Sequence, residues 1–223
     1  MTTNHDHRAA ARGAAEADAL FDAIAGRRSM GLSRLRPDPV DPALIERLLQ
    51  AANWAPSHGD TEPWRFTVFM GEGRAELARL FDAAAREEGG KAAAEHDGAR
   101  KRAYAAPVWI AIGVSPALKD DGSLLMSADE ELMAVACAVQ NLHLMAQALG
   151  LAGMWHSKGA SVSPAVARGL GLTPPARLLG FFFCGWPATP WLTSARRPLD
   201  GKVRWVTQAD APSAAAPAEI SPD

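Results

Sequence analysis

The chain has 223 residues, of which 48% are hydrophobic and 22% are charged, the balance of an ordinary globular domain. Its 23 basic and 25 acidic side chains give a formal net charge of −2. This charge argues against a nucleic-acid partner, because such partners select basic surfaces. No apolar run has the length needed to cross a bilayer, so a membrane partner is not expected either.

Two features of the sequence predict a cytoplasmic protein. Residues 1–12 are polar and contain no apolar stretch of the kind that secretory signals carry. The two cysteines, Cys137 and Cys184, both lie in apolar runs. This position predicts buried free thiols rather than a disulfide or a pair of metal ligands.

Both ends of the chain predict disorder, which leaves one domain over residues 17–206. Residues 1–16 combine alanine with scattered charge, and residues 207–223 combine alanine with proline and serine. Neither segment has enough apolar surface to offset the entropy lost on ordering.

Between the ends, helical and strand patterns mix along the chain. Helices are predicted near residues 20–25, from Pro42, over 73–87, from Ser127 to about 149 and from Pro164, and strands over 66–70, 107–114, about 152–155 and 178–184. Residues 88–98 predict a mobile connection. The helix after Ser127 is apolar nearly all round and is therefore expected to be central and buried. The mixture predicts an α+β fold with helices packed on a sheet of four or five strands.

The triplet Arg27-Arg28-Ser29 follows the first helical pattern. Guanidinium groups bind phosphate through charge-assisted hydrogen bonds, and a hydroxyl adds a further one. Basic residues also complement the negative end of a helix dipole, and for this triplet alone that second interpretation is favoured.

The segment from Ala55 to Phe66 reverses that preference. It resembles a run in the nitroreductase family of FMN-dependent NAD(P)H oxidoreductases, in which Ala-Pro-Ser is followed by Asn, Gln, Pro and Trp. The matching residues are Ala55, Pro56, Ser57, Pro63 and Trp64. Together with the triplet, this run favours a functional interpretation over a well-packed turn with solvated acids.

The resemblance implies flavin contacts within this segment. Asp60 and Glu62 stand where the family has the amides Asn and Gln, and an ionised carboxylate cannot donate a hydrogen bond. Glu62 is instead expected to accept a hydrogen bond from the flavin N3–H. His58 resembles a ring or interface contact of a compact subgroup, and Trp54, just before the run, is a further cofactor-binding candidate.

Two later segments extend the resemblance to residues 18–205. Trp155-His156-Ser157 resembles the Trp-x-Ser form of the compact subgroup, in which a loop runs along the flavin. Arg196-Arg197 precedes Pro-Leu, as a basic pair that meets the FMN phosphate does in the family. Core packing for Trp155 and a basic linker for the arginine pair remain the alternatives.

Other chemistries fit the sequence poorly. The histidines are scattered and the cysteines have apolar neighbours, so no metal site is predicted. His143, in the apolar helix, is expected to be a core histidine with its hydrogen bonds satisfied. A Gly-x-Gly-x-x-Gly turn is missing, so a Rossmann nicotinamide site is not supported.

The resemblance implies a nitroreductase-like fold with a mostly antiparallel sheet, FMN as cofactor and NADH or NADPH as co-substrate. It further implies a homodimer with FMN at the interface, and ping-pong transfer of hydride through flavin N5 to a nitroaromatic, a quinone or a similar electrophile. No side chain needs to be catalytic, since the flavin carries the chemistry. Two alternatives stay open: a flavin-binding storage or sensor protein, and a reductase of the same scaffold with another outcome, such as dehalogenation, enone reduction or flavin breakdown.

Overall fold

The computed structural model describes residues 4–87 and 92–207, and it confirms the predicted α+β architecture. The helices are α1 (Asn4–Gly26), α2 (Pro42–Asn53), α3 (Arg74–Glu87), α4 (Ala92–Ala103), α5 (Ala128–Ala148) and α6 (Pro164–Gly169). The strands are β1 (Trp64–Met70), β2 (Val108–Val114), β3 (Ala152–His156) and β4 (Arg177–Gly185). All of these elements belong to the first of two units, Met1–Trp191 and Leu192–Asp223.

The four strands form one antiparallel sheet in the order β1-β2-β4-β3. Every residue of β2 is buried, as its continuous apolar sequence predicts for a strand covered on both faces. Val108, Ile110 and Ile112 join the core under α2 and α5, whereas Trp109 and Ala111 join the core under α3, α4 and α6. The sheet therefore separates two hydrophobic cores.

Two local signals start the helices of the first core. Asp41 Oδ1 accepts the Ala43 N–H at 2.9 Å, and Pro42 occupies the first helical position of α2. At α5, the Glu130 N–H donates to Ser127 Oγ at 3.2 Å and the Ser127 N–H donates to Glu130 Oε2 at 3.0 Å. This reciprocal capping box confirms the predicted start of α5.

Two helices replace segments for which the sequence predicts disorder or mobility. α1 begins at Asn4, inside the extension predicted to be disordered, and α4 occupies most of the connection predicted over 88–98. Both are alanine-rich, and alanine has the highest intrinsic helix propensity. Residues 1–3, 88–91 and 208–223 lie outside the described residues, so the domain limits at 17 and 206 stay predictions.

One stripe of α5 is exposed, which corrects the prediction that the helix is buried all round. Met133 is 58% exposed, and Ala136, Cys137 and Gln140 are exposed on the same side. These four residues, spaced by three or four, form what we call the α5 stripe. Cys137 is therefore not a buried thiol, whereas Cys184 is, and burial raises the pKa of Cys184 to about 12.

None of the helices in the described ranges is long and apolar enough to span a membrane.

Candidate functional site

The Arg27-Arg28-Ser29 triplet lies where α1 ends and the chain turns to run beside β3. Ser29 forms a parallel bridge with Gly153, and the Met30 N–H donates to Gly153 O at 3.1 Å. Backbone pairing thereby holds the triplet against the strand that carries Trp155, although the two segments are far apart in sequence.

A cavity of about 290 Å³ opens beside this bridge. Its lining residues are Arg27, Ser29, Ala136, Val139, Gln140, His143 and Trp155. The Trp155 indole is fixed there, because its Nε1–H donates to Leu179 O at 3.1 Å. Arg27, Ser29 and Trp155 are predicted cofactor ligands, so the structure brings part of the predicted site together.

The cavity has the electrostatics of an anion site. Arg27 is the one charged residue among the described residues that line it, and its guanidinium lies 3.4 Å from Ser29 Oγ. Burial, and secondly the charge of Arg27, lower the pKa of His143 to about 4. The His143 imidazole is therefore neutral at pH 7, and an entering anion meets a guanidinium, a hydroxyl and uncharged polar groups.

Arg28 is turned back onto the end of α1. Its guanidinium donates to Ala25 O at 2.6 Å and to Arg27 O at 2.7 Å. These carbonyls lie at the helix C-terminus, where a cation is favourable. For Arg28 the structure supports the helix-end interpretation, and the residue does not line the cavity described above.

The loop of the second segment lies at the other end of α5. A short 3-10 turn covers His58–Asp60, and His58 Nδ1 lies 2.8 Å from Glu130 Oε1. Thr61 Oγ1 donates to Glu131 Oε2 at 2.7 Å, and Glu131 is buried. The hydrogen bond from His58, with those from Ser127, lowers the pKa of Glu130 to about 2, so this carboxylate is ionised at neutral pH.

This loop is strained where the family resemblance places flavin contacts. Asp60 and Glu62 have φ angles of 51° and 42°, and they are the non-glycine residues with positive φ in the described ranges. Such conformations cost roughly 1–3 kcal/mol each and cluster at functional sites. Trp54, at the end of α2 just before the loop, is 88% exposed, so this segment presents an exposed aromatic ring.

Two clusters of predicted ligands, the His58 loop and the Arg27 cavity, do not meet within one chain. His143 follows Glu130 by thirteen positions on α5, a separation of about 20 Å at a rise of 1.5 Å per residue. His58, Asp60 and Glu62 thus lie at one end of α5, and the Arg27 cavity lies near the other end.

The prediction that His156 contacts the cofactor beside Trp155 is not supported. Successive side chains of a strand point to opposite faces, so His156 faces α4 rather than the cavity. Its Nδ1 lies 3.2 Å from an Arg102 guanidinium nitrogen and 3.0 Å from Ser161 Oγ. Burial first, and then the charges of Arg102 and Lys158, lower the pKa of His156.

The sequence model of the nitroreductase family matches residues 24–186, which is most of the chain and includes both clusters. The chain belongs to the nitroreductase family. Membership confirms the family that the sequence motifs resemble and the predicted enzyme class, an oxidoreductase.

Relatives and solved structures cover most of this nitroreductase-family chain. YdjA of Escherichia coli strain K12, named as an NAD(P)H nitroreductase, is 30% identical over 181 residues, which span 81% of this chain and 94% of YdjA. A 5,6-dimethylbenzimidazole synthase of Rhodospirillum rubrum is 31% identical over 183 residues, 76% of this chain and 81% of the synthase.

Solved structures confirm the predicted nitroreductase-like fold. A nitroreductase-like family protein of Bacillus cereus superposes with a TM-score of 0.71 and 27% identity over 85% of this chain and 96% of its own. A Desulfovibrio desulfuricans protein described as a nitroreductase in complex with FMN superposes with a TM-score of 0.62 and 24% identity over 85% of this chain and 97% of its own.

Ser157 and the arginine pair are the remaining predicted ligands, and Ser157 is not among the described residues that line the cavity. Ser157 is an exposed residue after β3. Arg196 and Arg197 belong to the second unit, in which the described residues, 192–207, form no helix or strand. Within that unit Arg196 donates to Ser194 Oγ at 2.8 Å. The phosphate contact that the resemblance implies for this arginine pair stays a prediction.

Sequence reasoning missed two polar residues of the cavity, Gln140 and His143. The predicted core role of His143 is wrong in one respect: in the described part of the chain its imidazole has no hydrogen-bond partner. A signal was available in the helical spacing, since Ala136, Gln140 and His143 recur at intervals of three or four along one side of α5.

Proposed function

We propose that the chain binds FMN and uses NADH or NADPH to reduce a small electrophile such as a nitroaromatic or a quinone. The observation that carries the proposal is the cavity in which Arg27 and Ser29 lie beside Trp155. When bound, FMN would supply the redox chemistry, a ping-pong transfer of hydride from the nicotinamide to the acceptor.

The residues of the cavity fit the phosphate end of FMN. A phosphate ester carries close to two negative charges at neutral pH, and the Arg27 guanidinium with the Ser29 hydroxyl provides charge-assisted hydrogen bonds of the type that such a group needs. The volume of about 290 Å³ lies at the lower limit for ligand pockets, roughly 300–1,000 Å³. A cavity of this size in one chain would hold only part of FMN.

A two-fold homodimer would complete the site. If two copies pack antiparallel along the α5 stripe, the His58 loop of one copy approaches the Arg27 cavity of the other, because these clusters lie at opposite ends of α5. An isologous contact of this kind uses the same surface on both copies. Exposed apolar residues on the same unit support such burial: Leu20, Phe21, Ile24, Trp54 and Met133 are 58%, 67%, 46%, 88% and 58% exposed, respectively.

In that dimer the strained loop is the part that meets the ring. Asp60 and Glu62 are both exposed, and their carboxylates accept hydrogen bonds where the family's amides can also donate. In this proposal Glu62 accepts a hydrogen bond from the flavin N3–H, and His58, whose Nδ1 lies 2.8 Å from Glu130 Oε1, belongs to the same exposed loop. The loop thus supplies acceptors and the cavity supplies the positive charge.

A different reaction on the same fold stays open because of one relative. The Rhodospirillum rubrum protein, 31% identical, is named 5,6-dimethylbenzimidazole synthase. A flavin-binding storage or sensor protein remains the third alternative. The proposal includes the cytoplasmic location that the sequence predicts.

The proposal is tested on the purified protein by its visible spectrum and by the flavin released on heating. FMN should co-purify, NAD(P)H should bleach the flavin band without oxygen, and a quinone or nitroaromatic should restore it. A colourless protein that binds no added FMN would refute the proposal. Flavin that NAD(P)H fails to bleach would indicate a storage or sensor protein, and 5,6-dimethylbenzimidazole among the products would favour the synthase.

A further inference from the structure

His143 and Gln140 present polar groups to the Arg27 cavity, and no described residue forms a hydrogen bond with either side chain. Gln140 is exposed and reaches water, whereas the half-buried imidazole of His143 loses part of its hydration, which costs free energy unless the group is paired. The His143 ring is nonetheless held in place, edge-on to Phe182 with the ring centroids 4.8 Å apart at 85°.

We propose that His143 is a ligand of the FMN phosphate, donating a ring N–H to it beside Arg27 and Ser29. The inference rests on the proposed function and extends it, because it assigns binding of the FMN phosphate to a residue of α5. Its consequence is selectivity: His143 should favour FMN over riboflavin, which has the same ring and ribityl chain but no phosphate.

The surroundings of His143 point to an anion as its partner. Arg27 faces it from the end of α1, Ser29 from the following turn, Trp155 from β3 and Phe182 from β4. No carboxylate is among the described residues that line the cavity. The described lining thus offers a guanidinium, a hydroxyl and an imidazole N–H, and this set of donors suits a ligand of negative charge.

The protonation state of His143 suits this role. Burial lowers its pKa to about 4, so near pH 7 the ring is neutral and retains one N–H donor. A neutral donor adds a hydrogen bond to the phosphate without placing a second cation against Arg27. Hydrogen bonds to charged groups are about twice as strong as those between neutral groups, so a single N–H is enough to discriminate.

The test compares FMN with riboflavin as ligands of the apoprotein, by flavin fluorescence at pH 7.5. His143→Leu removes the donor, and His143→Gln restores an amide N–H at similar reach. We expect His143→Leu to weaken FMN binding by about tenfold or more and to change riboflavin binding by less than about twofold. We expect His143→Gln to recover most of the FMN affinity.

Each outcome decides the inference. Equal weakening of FMN and riboflavin would overturn it, because His143 would then contact the ring or the ribityl chain, and unchanged binding of both ligands would overturn it as well. Near-ultraviolet circular dichroism shows whether His143→Leu is folded. If it is not, the ³¹P resonance of FMN bound to His143→Gln is compared with that of FMN bound to the wild-type protein. A resonance at the same position in both proteins overturns the inference. Wild-type apoprotein that binds neither flavin refutes the proposed function itself, whereas flavin binding without phosphate discrimination refutes only the role of His143.

Discussion

Cys137 provides a direct test of how two copies pair. The midpoint between Glu130 and His143 falls between residues 136 and 137 of α5, so an antiparallel pairing that joins the two clusters must cross there. Cys137 lies on the exposed α5 stripe at that point. A two-fold axis through the crossing brings Cys137 of one copy opposite the same residue of the second copy.

The distances suit a disulfide between the two copies. Helix axes in contact lie about 8–10 Å apart, and each Cα lies about 2.3 Å from its axis, so facing Cα atoms approach to roughly 3–5 Å. A disulfide requires Cα atoms roughly 4.4–6.8 Å apart, a range that a small sideways offset of the helices reaches. Oxidation removes two protons and two electrons from the thiol pair and links the subunits.

The assay is mild oxidation of the dilute protein with copper–phenanthroline, followed by non-reducing electrophoresis. We expect a reducible band at twice the 23.6 kDa of the chain, and we expect Cys137→Ser to abolish it. Cys184 is buried and its pKa is raised to about 12, so it should not substitute. A dimer by light scattering that gives no such band would refute the crossing at residue 137.

Three further predictions concern the cofactor and stability. Arg27→Ala should weaken FMN binding by more than about tenfold, because a hydrogen bond to a charged group contributes roughly 1.5–3 kcal/mol; unchanged affinity in a fluorescence titration would contradict the phosphate assignment. Glu62→Gln should raise the flavin midpoint potential, since negative charge beside the ring disfavours its anionic reduced form, and Asp60→Asn should raise the potential less. Spectroelectrochemistry that gives a lower or unchanged potential in both variants would place these side chains away from the ring. The folded pKa of His143, about 4, lies below the unfolded value near 6.5, so stability should be lost as the pH falls from about 6.5 to about 4. Between pH 7 and pH 5 this amounts to about 2 kcal/mol in urea unfolding of the apoprotein, and His143→Leu should lack that loss, so an equal slope in both proteins would contradict the shift.

Local chemistry made much of the fold predictable. The caps at Asp41 and Ser127 need only their nearest neighbours in sequence, and the all-apolar run of β2 reports burial on both faces. The helix near residues 20–25 was predicted, but the earlier part of α1 and all of α4 were missed, because alanine-rich segments with little periodicity carry propensity but few signs of packing.

The site was less predictable, because it depends on which face a side chain occupies. Trp155 and His156 are adjacent in β3, and strand alternation sends one to the cavity and the other to Arg102. Arg28 resembles Arg27 in sequence but bonds to the carbonyls that end α1. The role of His143 depends on the bridge between Ser29 and Gly153, which holds the triplet beside β3, and on the cavity that the triplet shares with α5.

The separation of the two clusters along α5 has a consequence for mixed populations of subunits. In the proposed dimer, a variant that loses FMN through a change at Arg27 and a variant whose loop is disrupted at Glu62 would each form inactive homodimers. In a dimer that contains one of each, both lesions fall on the same site, and the second site is assembled entirely from undamaged halves. Random exchange between equal amounts should therefore restore about a quarter of the sites, so two alleles that are inactive alone would complement each other when expressed in one cell.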